Sequence, residues 1–377
     1  MPELPSPAPT PAAPPRPGPR RALTRRGVLG TAGAIAVGAA LAPAAFAATE
    51  DGTGSEDATG GGTGAGTRSE TFPVTRTEAA TGTGQVTTAF AASYVGVRWT
   101  GARDGAVISL ADGGPQRLGA GCATVEDGGT ALVAASSATS YDVRVPQGAD
   151  GVRSLAIDTR HGPARAFDVP VEPTRVRGVG YLSRPAWGAD ESKRYKDGKV
   201  NSPEAYYPLQ ALTVHHTDTP NGDPDPAATV RAIYEYHAVT LDWGDIGYHF
   251  LIDEAGLVYE GRYSGDDPAP AFDADGNVVT AFHTAGYNSG NLGIALLGTL
   301  VDQGPTDAAK ASLIRLVKAV SRVKGLDPRA AITYTNPVNG VTKDVTTVGG
   351  HRDWLRTDCP GQTMYGLLDE VRAAAAC

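Results

Sequence analysis

The sequence predicts an α/β fold, a mixed central β-sheet flanked by three helices, preceded by a smaller β-rich, sandwich-like domain. Three observations carry this expectation. From 176 to 377, short apolar runs alternate with stretches of helical spacing. From 70 to 175, short alternating runs are separated by Gly-rich turns. Between this region and the N-terminus, residues 48–69 are almost entirely Gly, Thr, Ser, Ala, Asp and Glu, a composition expected of a flexible linker.

The first segment, 1–47, is Pro-rich and ends in Thr24-Arg25-Arg26-Gly27-Val28-Leu29, a weakly apolar Gly/Ala stretch to Phe46, and the small-residue pattern Ala45-Phe46-Ala47. It reads as a twin-arginine export signal. The Gly and Ala content, with Pro43 inside the stretch, argues against a membrane anchor. The whole chain has a formal charge of −8; the first 47 residues hold five arginines and one glutamate, so their removal leaves −12. Such a balance disfavours nucleic acid and anionic membranes as partners.

In the β-rich region, Val95, Val97 and Trp99 share one strand face, and so do Tyr141, Val143 and Val145. Turns such as Ala111-Asp112-Gly113-Gly114-Pro115 separate the strands. No ligand constellation falls here, so the region is expected to fold independently and to lend the downstream domain no catalytic group.

Downstream, Leu212-Thr213-Val214-His215 and Tyr248-His249-Phe250-Leu251-Ile252 read as strands. Asn291-Leu292-Gly293-Ile294-Ala295-Leu296-Leu297 is the near-continuous apolar run of a strand buried on both faces. Asp225 with Pro226 starts a helix in which Val230, Ile233, Tyr234 and His237 form one stripe. Leu313, Leu316, Val317 and Val320 form the stripe of a second helix that Gly325 ends, and Met364, Leu367, Leu368 and Val371 that of a third.

The chemistry gathers in Gly350-His351-Arg352-Asp353-Trp354-Leu355-Arg356-Thr357-Asp358-Cys359 and in Val214-His215-His216-Thr217. Imidazole and thiol groups point to zinc, and three protein ligands leave a position for a water whose pKa falls to about 7. Strand alternation sends His215 and His216 to opposite faces, so only one of them enters a given site. His237 sits on an apolar stripe and reads as a core imidazole, and His161 as a solvated turn residue. His351-Arg352-Asp353 resembles a kinase catalytic loop but has none of its companion motifs. Asp273-Ala274-Asp275-Gly276-Asn277 lacks the closing glutamate of a calcium loop and reads as a turn. Cys122 and Cys377 are left for an open disulfide question.

Several segments in order resemble one family. They are Leu182-Ser183-Arg184-Pro185-Ala186-Trp187-Gly188-Ala189, Val214-His215-His216-Thr217, Asp245-Ile246-Gly247-Tyr248-His249-Phe250-Leu251-Ile252, Val258-Tyr259-Glu260-Gly261-Arg262, His283-Thr284-Ala285-Gly286-Tyr287-Asn288, Leu292-Gly293-Ile294-Ala295 and Gly350-His351-Arg352-Asp353. Together they resemble the peptidoglycan recognition proteins, which share the fold of type 2, zinc-dependent N-acetylmuramoyl-L-alanine amidases, over roughly 178–370. The resemblance implies one zinc per chain bound by His215, His351 and Cys359, with Tyr248 and Thr357 as catalytic residues and His283 and Asn288 lining the peptide groove. It also implies a hydrolase of peptidoglycan; with the export signal, the expectation is a secreted, wall-associated monomer. The alternative is a non-catalytic peptidoglycan-binding or wall-anchoring protein, although non-catalytic members lose the cysteine that this chain keeps. The segment between Arg262 and His283 is longer and more acidic than in animal members, so specificity for the third stem residue does not carry over.

Overall fold

The structure is a computed structural model that describes residues 66–377 apart from 103, 112, 119–127, 172–173, 177, 266–268 and 377. The export leader, the linker up to residue 65, Cys122 and Cys377 lie outside the described residues.

The upstream region is built from β1 (Thr67–Pro73), β2 (Arg76–Thr81), β3 (Gly84–Gly101), β4 (Val107–Leu110), β5 (Pro115–Arg117), β6 (Gly129–Arg144), β7 (Ala149–Asp158) and β8 (Ala164–Pro170). Six of these form one antiparallel sheet in the order β2-β7-β3-β6-β4-β5, and β1 pairs with β8 as a separate ribbon. The last residues read as linker therefore belong to a strand, because pairing with β8 supplies backbone partners that local composition does not reveal. Register shifts between Thr87 and Tyr94 interrupt the β3–β6 ladder, and such bulges bend strands. Val95, Val97 and Trp99 enter an apolar core with Ile108, Tyr141 and Val143, as the alternation predicts.

The downstream core is a five-stranded mixed sheet. Its strands are β9 (Ala211–His216), β10 (Phe250–Ile252), β11 (Val258–Glu260), β12 (Asn291–Leu296) and β13 (Val348–Gly350), arranged β11-β10-β12-β9-β13. Only the β10–β11 pair is antiparallel. All six residues of β12 are buried, as expected of a strand covered on both faces.

Helix α1 (Pro226–Glu235) is capped by the Asp225 carboxylate, which accepts from the Ala228 N–H at 3.0 Å. Helix α2 (Asp307–Lys324) is capped by Thr306, ends at left-handed Gly325, and buries Leu313, Leu316, Val317 and Val320 against the sheet. The expected third helix is two segments, α3 (Gln362–Gly366) and α4 (Leu368–Ala376), broken beside Gly366, a poor helix former. Among the described residues no helix is long and apolar enough to cross a membrane.

The two regions are packed together. Tyr94, Leu155 and Ile157 from the upstream sheet share an apolar cluster with Ala232, Tyr236 and Leu241. The Tyr94 hydroxyl lies 2.7 Å from the Thr229 hydroxyl, Thr130 hydrogen-bonds Tyr236, and Arg231 donates to the Thr159 carbonyl at 3.2 Å. Gly96 makes the approach feasible, since a Cβ there would stand 2.6 Å from the Tyr236 ring. The upstream sheet is thus docked on α1.

Candidate metal centre

His215 and His351 leave the carboxyl ends of neighbouring parallel strands. β13 pairs with β9 through Val214↔Gly350, so the next residue of each chain segment falls side by side, and the two imidazole centroids lie 4.5 Å apart. After Gly350 the backbone turns into a short 3-10 segment, His351–Asp353, whose Asp353 carboxylate accepts the Gly350 N–H at 2.8 Å. Cys359 is brought to the same point by its own loop. Its carbonyl accepts from the Arg352 N–H at 3.0 Å, and its N–H donates to the Thr357 hydroxyl at 3.2 Å.

The ligand atoms of His215, His351 and Cys359 all lie within 4.8 Å of one another, and all three residues are buried. The Cys359 Sγ is 3.6 Å from the His215 Nδ1. Neither ring nitrogen of His351 has a hydrogen-bond partner among the described residues, a costly arrangement for a fully buried imidazole unless something else takes its lone pair. Burial, reinforced by His351 and His283, pushes His215 well below the ordinary imidazole range, and burial pushes His351 down to about 3. Both rings are therefore neutral at physiological pH, the form that coordinates a metal. Two imidazoles and one thiol can hold a metal ion, and the donor set is one that zinc favours.

A chain of hydrogen bonds fixes which His215 nitrogen faces this centre. The His283 Nε2 lies 3.0 Å from the Asn291 carbonyl, which can only accept, so the proton sits on Nε2. Burial holds His283 at about 4, hence neutral, and its Nδ1 is an acceptor. His215 donates to it from Nε2 at 3.0 Å, leaving its own Nδ1 bare toward Cys359. Asn288 in turn accepts the backbone N–H groups of His283 and Thr284 at 2.9 and 2.7 Å. The expectation that His283 lines the peptide groove is corrected: it is buried behind His215. Asn288 shapes the turn that carries it. Gly293 of β12 makes room, since a Cβ there would lie 2.5 Å from the His283 ring.

His216 points the other way, as alternation predicts, and accepts the Leu300 N–H at 3.0 Å. His237 is the expected buried imidazole, accepting the Gly247 N–H at 3.0 Å. Tyr248 packs its ring 5.2 Å from His215 and 5.4 Å from His237. The turn that delivers it is anchored by Asp245, whose oxygens accept from Arg184 and Arg262 at 3.0 Å each and from the Ile246 and Tyr263 N–H groups. Burial opposes ionisation of Asp245, but the two guanidiniums and backbone donors prevail and hold it below the ordinary carboxylate range. Asp245 and Gly293 stand inside the quoted motifs and Asn291 begins the quoted strand run, yet nothing in their spacing announces these roles.

Tyr248 also lines a cavity of about 410 Å³ that it shares with His237, Thr217 and Thr219 and, from the upstream sheet, with Gln116 and Arg117. Fold and site together, a mixed sheet with a His-His-Cys set at its strand ends beside a tyrosine-lined cavity, define an α/β domain with a candidate metal site. The family model described as N-acetylmuramoyl-L-alanine amidase matches residues 205–362. Peptidoglycan-recognition protein SA of Drosophila melanogaster is 36% identical over 166 residues, covering 43% of this chain and 67% of that protein. Peptidoglycan-recognition protein SC2 of the same species is 30% identical over 196 residues, 51% of this chain and 86% of that protein. A Homo sapiens N-acetylmuramoyl-L-alanine amidase is 33% identical over 165 residues, 43% of this chain and 24% of that protein. The chain belongs to the peptidoglycan recognition protein family, whose amidase fold the downstream sheet and helices adopt. It spans only about a quarter of the length of the human, pig and mouse amidases that it matches.

Proposed function

We propose that this protein is a secreted, zinc-dependent N-acetylmuramoyl-L-alanine amidase that hydrolyses the amide between N-acetylmuramic acid and L-alanine of peptidoglycan. The observation that carries the reading is the buried His215, His351 and Cys359 set, with His351 nitrogens that find no partner among the described residues and Tyr248 packed beside it. One zinc held there would supply Lewis acidity toward the amide carbonyl and lower the pKa of water.

The chain's own groups do the rest. His283 and Asn291 keep the His215 Nδ1 bare and aimed at the centre. Thr357 holds the Cys359 backbone through its hydroxyl and so sets the thiol's position. Tyr248, on the wall of the cavity, is placed to donate its hydroxyl to the oxygen that gains charge as the carbonyl becomes tetrahedral. All three residues of the set are buried, and the lower polarity there strengthens each of these contacts.

The test is to incubate the full chain with soluble muropeptide and follow free stem peptide by mass spectrometry. Release should stop with a chelator and return with zinc, and Cys359→Ser should lose metal and activity together. A zinc-replete chain that binds muropeptide and releases nothing is a recognition module instead. Export is tested separately: the secreted protein should begin after Ala47.

A further inference from the structure

The cavity beside Tyr248 has walls from two parts of the chain. Thr217, Thr219 and His237 form the downstream side, and Gln116 and Arg117 of β5 with Ser136 of β6 form the upstream side. The upstream side is held in place, because β3 and β7 of the same sheet are fixed to α1 and the segment after it by the Tyr94–Thr229 and Arg231–Thr159 hydrogen bonds and by the close approach of Gly96 to Tyr236. Its distance from Tyr248 is therefore set by packing and not by a linker.

The chemistry of the wall is mainly polar. Ser136, Thr217, Thr219 and Gln116 line it beside apolar Leu132, Val133 and Ile233, and Arg117 is exposed and forms no ion pair among the described residues. Asp218 lines the same cavity and keeps its negative charge while accepting from the Thr299 hydroxyl at 3.2 Å, so an anionic ligand group is directed away from it and toward Arg117. An unpaired guanidinium in a mainly polar cavity of about 410 Å³ suits a ligand segment of one sugar ring or a short peptide that carries a carboxylate.

We propose that the β-rich sheet is one wall of the substrate groove, and that Arg117 receives a free carboxylate of the muropeptide stem. The proposal rests on the amidase reading and assigns that activity a specificity-determining residue outside the matched family region. Arg117 contributes binding energy and not bond-breaking, so its removal raises KM and leaves kcat in place.

The experiment uses the full-length, zinc-loaded chain and two soluble substrates, an N-acetylmuramoyl tripeptide with free stem carboxylates and the same compound with those carboxylates amidated. Arg117→Ala should raise KM for the acid about three- to tenfold, the range of a partly exposed charge pair, with kcat unchanged and with no effect on the amidated compound. Arg117→Lys should recover part of the loss. An unchanged KM for the acid, or equal losses on both compounds, overturns the proposal. If the wild-type chain cleaves neither compound, the amidase reading fails, and calorimetric binding of the same pair decides the wall: a selective three- to tenfold loss of affinity for the acid in Arg117→Ala, by the same charge-pair range, supports it, and equal binding by both proteins overturns it.

Discussion

The Nε2 of His215 meets the Nδ1 of His283 at 3.0 Å, so the face that the first imidazole turns to the metal centre is decided by a residue that supplies no ligand itself. Replacing His283 by Ala should weaken zinc binding about 10- to 100-fold, the usual cost of removing a group that orients a ligand. Competition with a chromogenic chelator measures this directly. Gly293→Ala should act in the same direction by displacing the His283 ring, and unchanged affinity in both variants would place the orienting group elsewhere.

Tyr248 gives a different signature. Tyr248→Phe keeps the ring against His215 and removes only the hydroxyl, so turnover on muropeptide should fall about 10²- to 10³-fold while zinc content and KM stay close to wild type. A variant with wild-type turnover would move oxyanion stabilisation to another group.

Stability should fall in mild acid because buried neutral histidines resist the protonation that the unfolded chain accepts. His237 and His249 are fully buried and neutral, and burial pushes each down to about 3. In the unfolded chain they titrate near 6.5. Between those values the unfolded state binds more protons, so the stabilisation is complete above about pH 6.5 and is lost as pH falls toward 3, at up to about 1.4 kcal/mol per pH unit for each histidine. Urea midpoints of the chelator-treated chain at pH 8, 6 and 5 test the sign, and His237→Asn should flatten the slope.

Gly96→Val tests the packing between sheet and helix. The new side chain would collide with the Tyr236 ring, and overpacking of this kind costs about 1 to 3 kcal/mol. Calorimetry should show a lower Tm, partly recovered by adding Tyr236→Ala. No change in Tm would mean that the approach of sheet and helix contributes little.

Much of the centre is legible in the sequence because its signals are local. The alternation of His215 and His216, the glycines that close β13 and the short reach from His351 to Cys359 all survive in the structure. The position of His283 is not legible, since its partners His215 and Asn291 belong to strands that become neighbours only in the folded sheet. The docking of the upstream sheet is hidden for a related reason. Arg231 and Glu235 mark what looks like the solvent face of α1, yet both are buried, Arg231 by carbonyls of two distant segments and Glu235 by Lys193 at 3.1 Å. On β3, Tyr94 serves the helix while Val95 serves the sheet's own core, so a strand buried on both sides is read as covered on one.

The shared apolar cluster also limits how this protein can be cut and recombined. A fragment beginning near Val176 would leave Ala232, Tyr236 and Leu241 facing water, and the Arg231 guanidinium and Thr229 hydroxyl would each lose one of their partners. Such a newly bared patch favours self-association. The upstream strands thus act as a built-in cover for the downstream half, and grafting that half onto another carrier would call for resurfacing the outer side of α1 first.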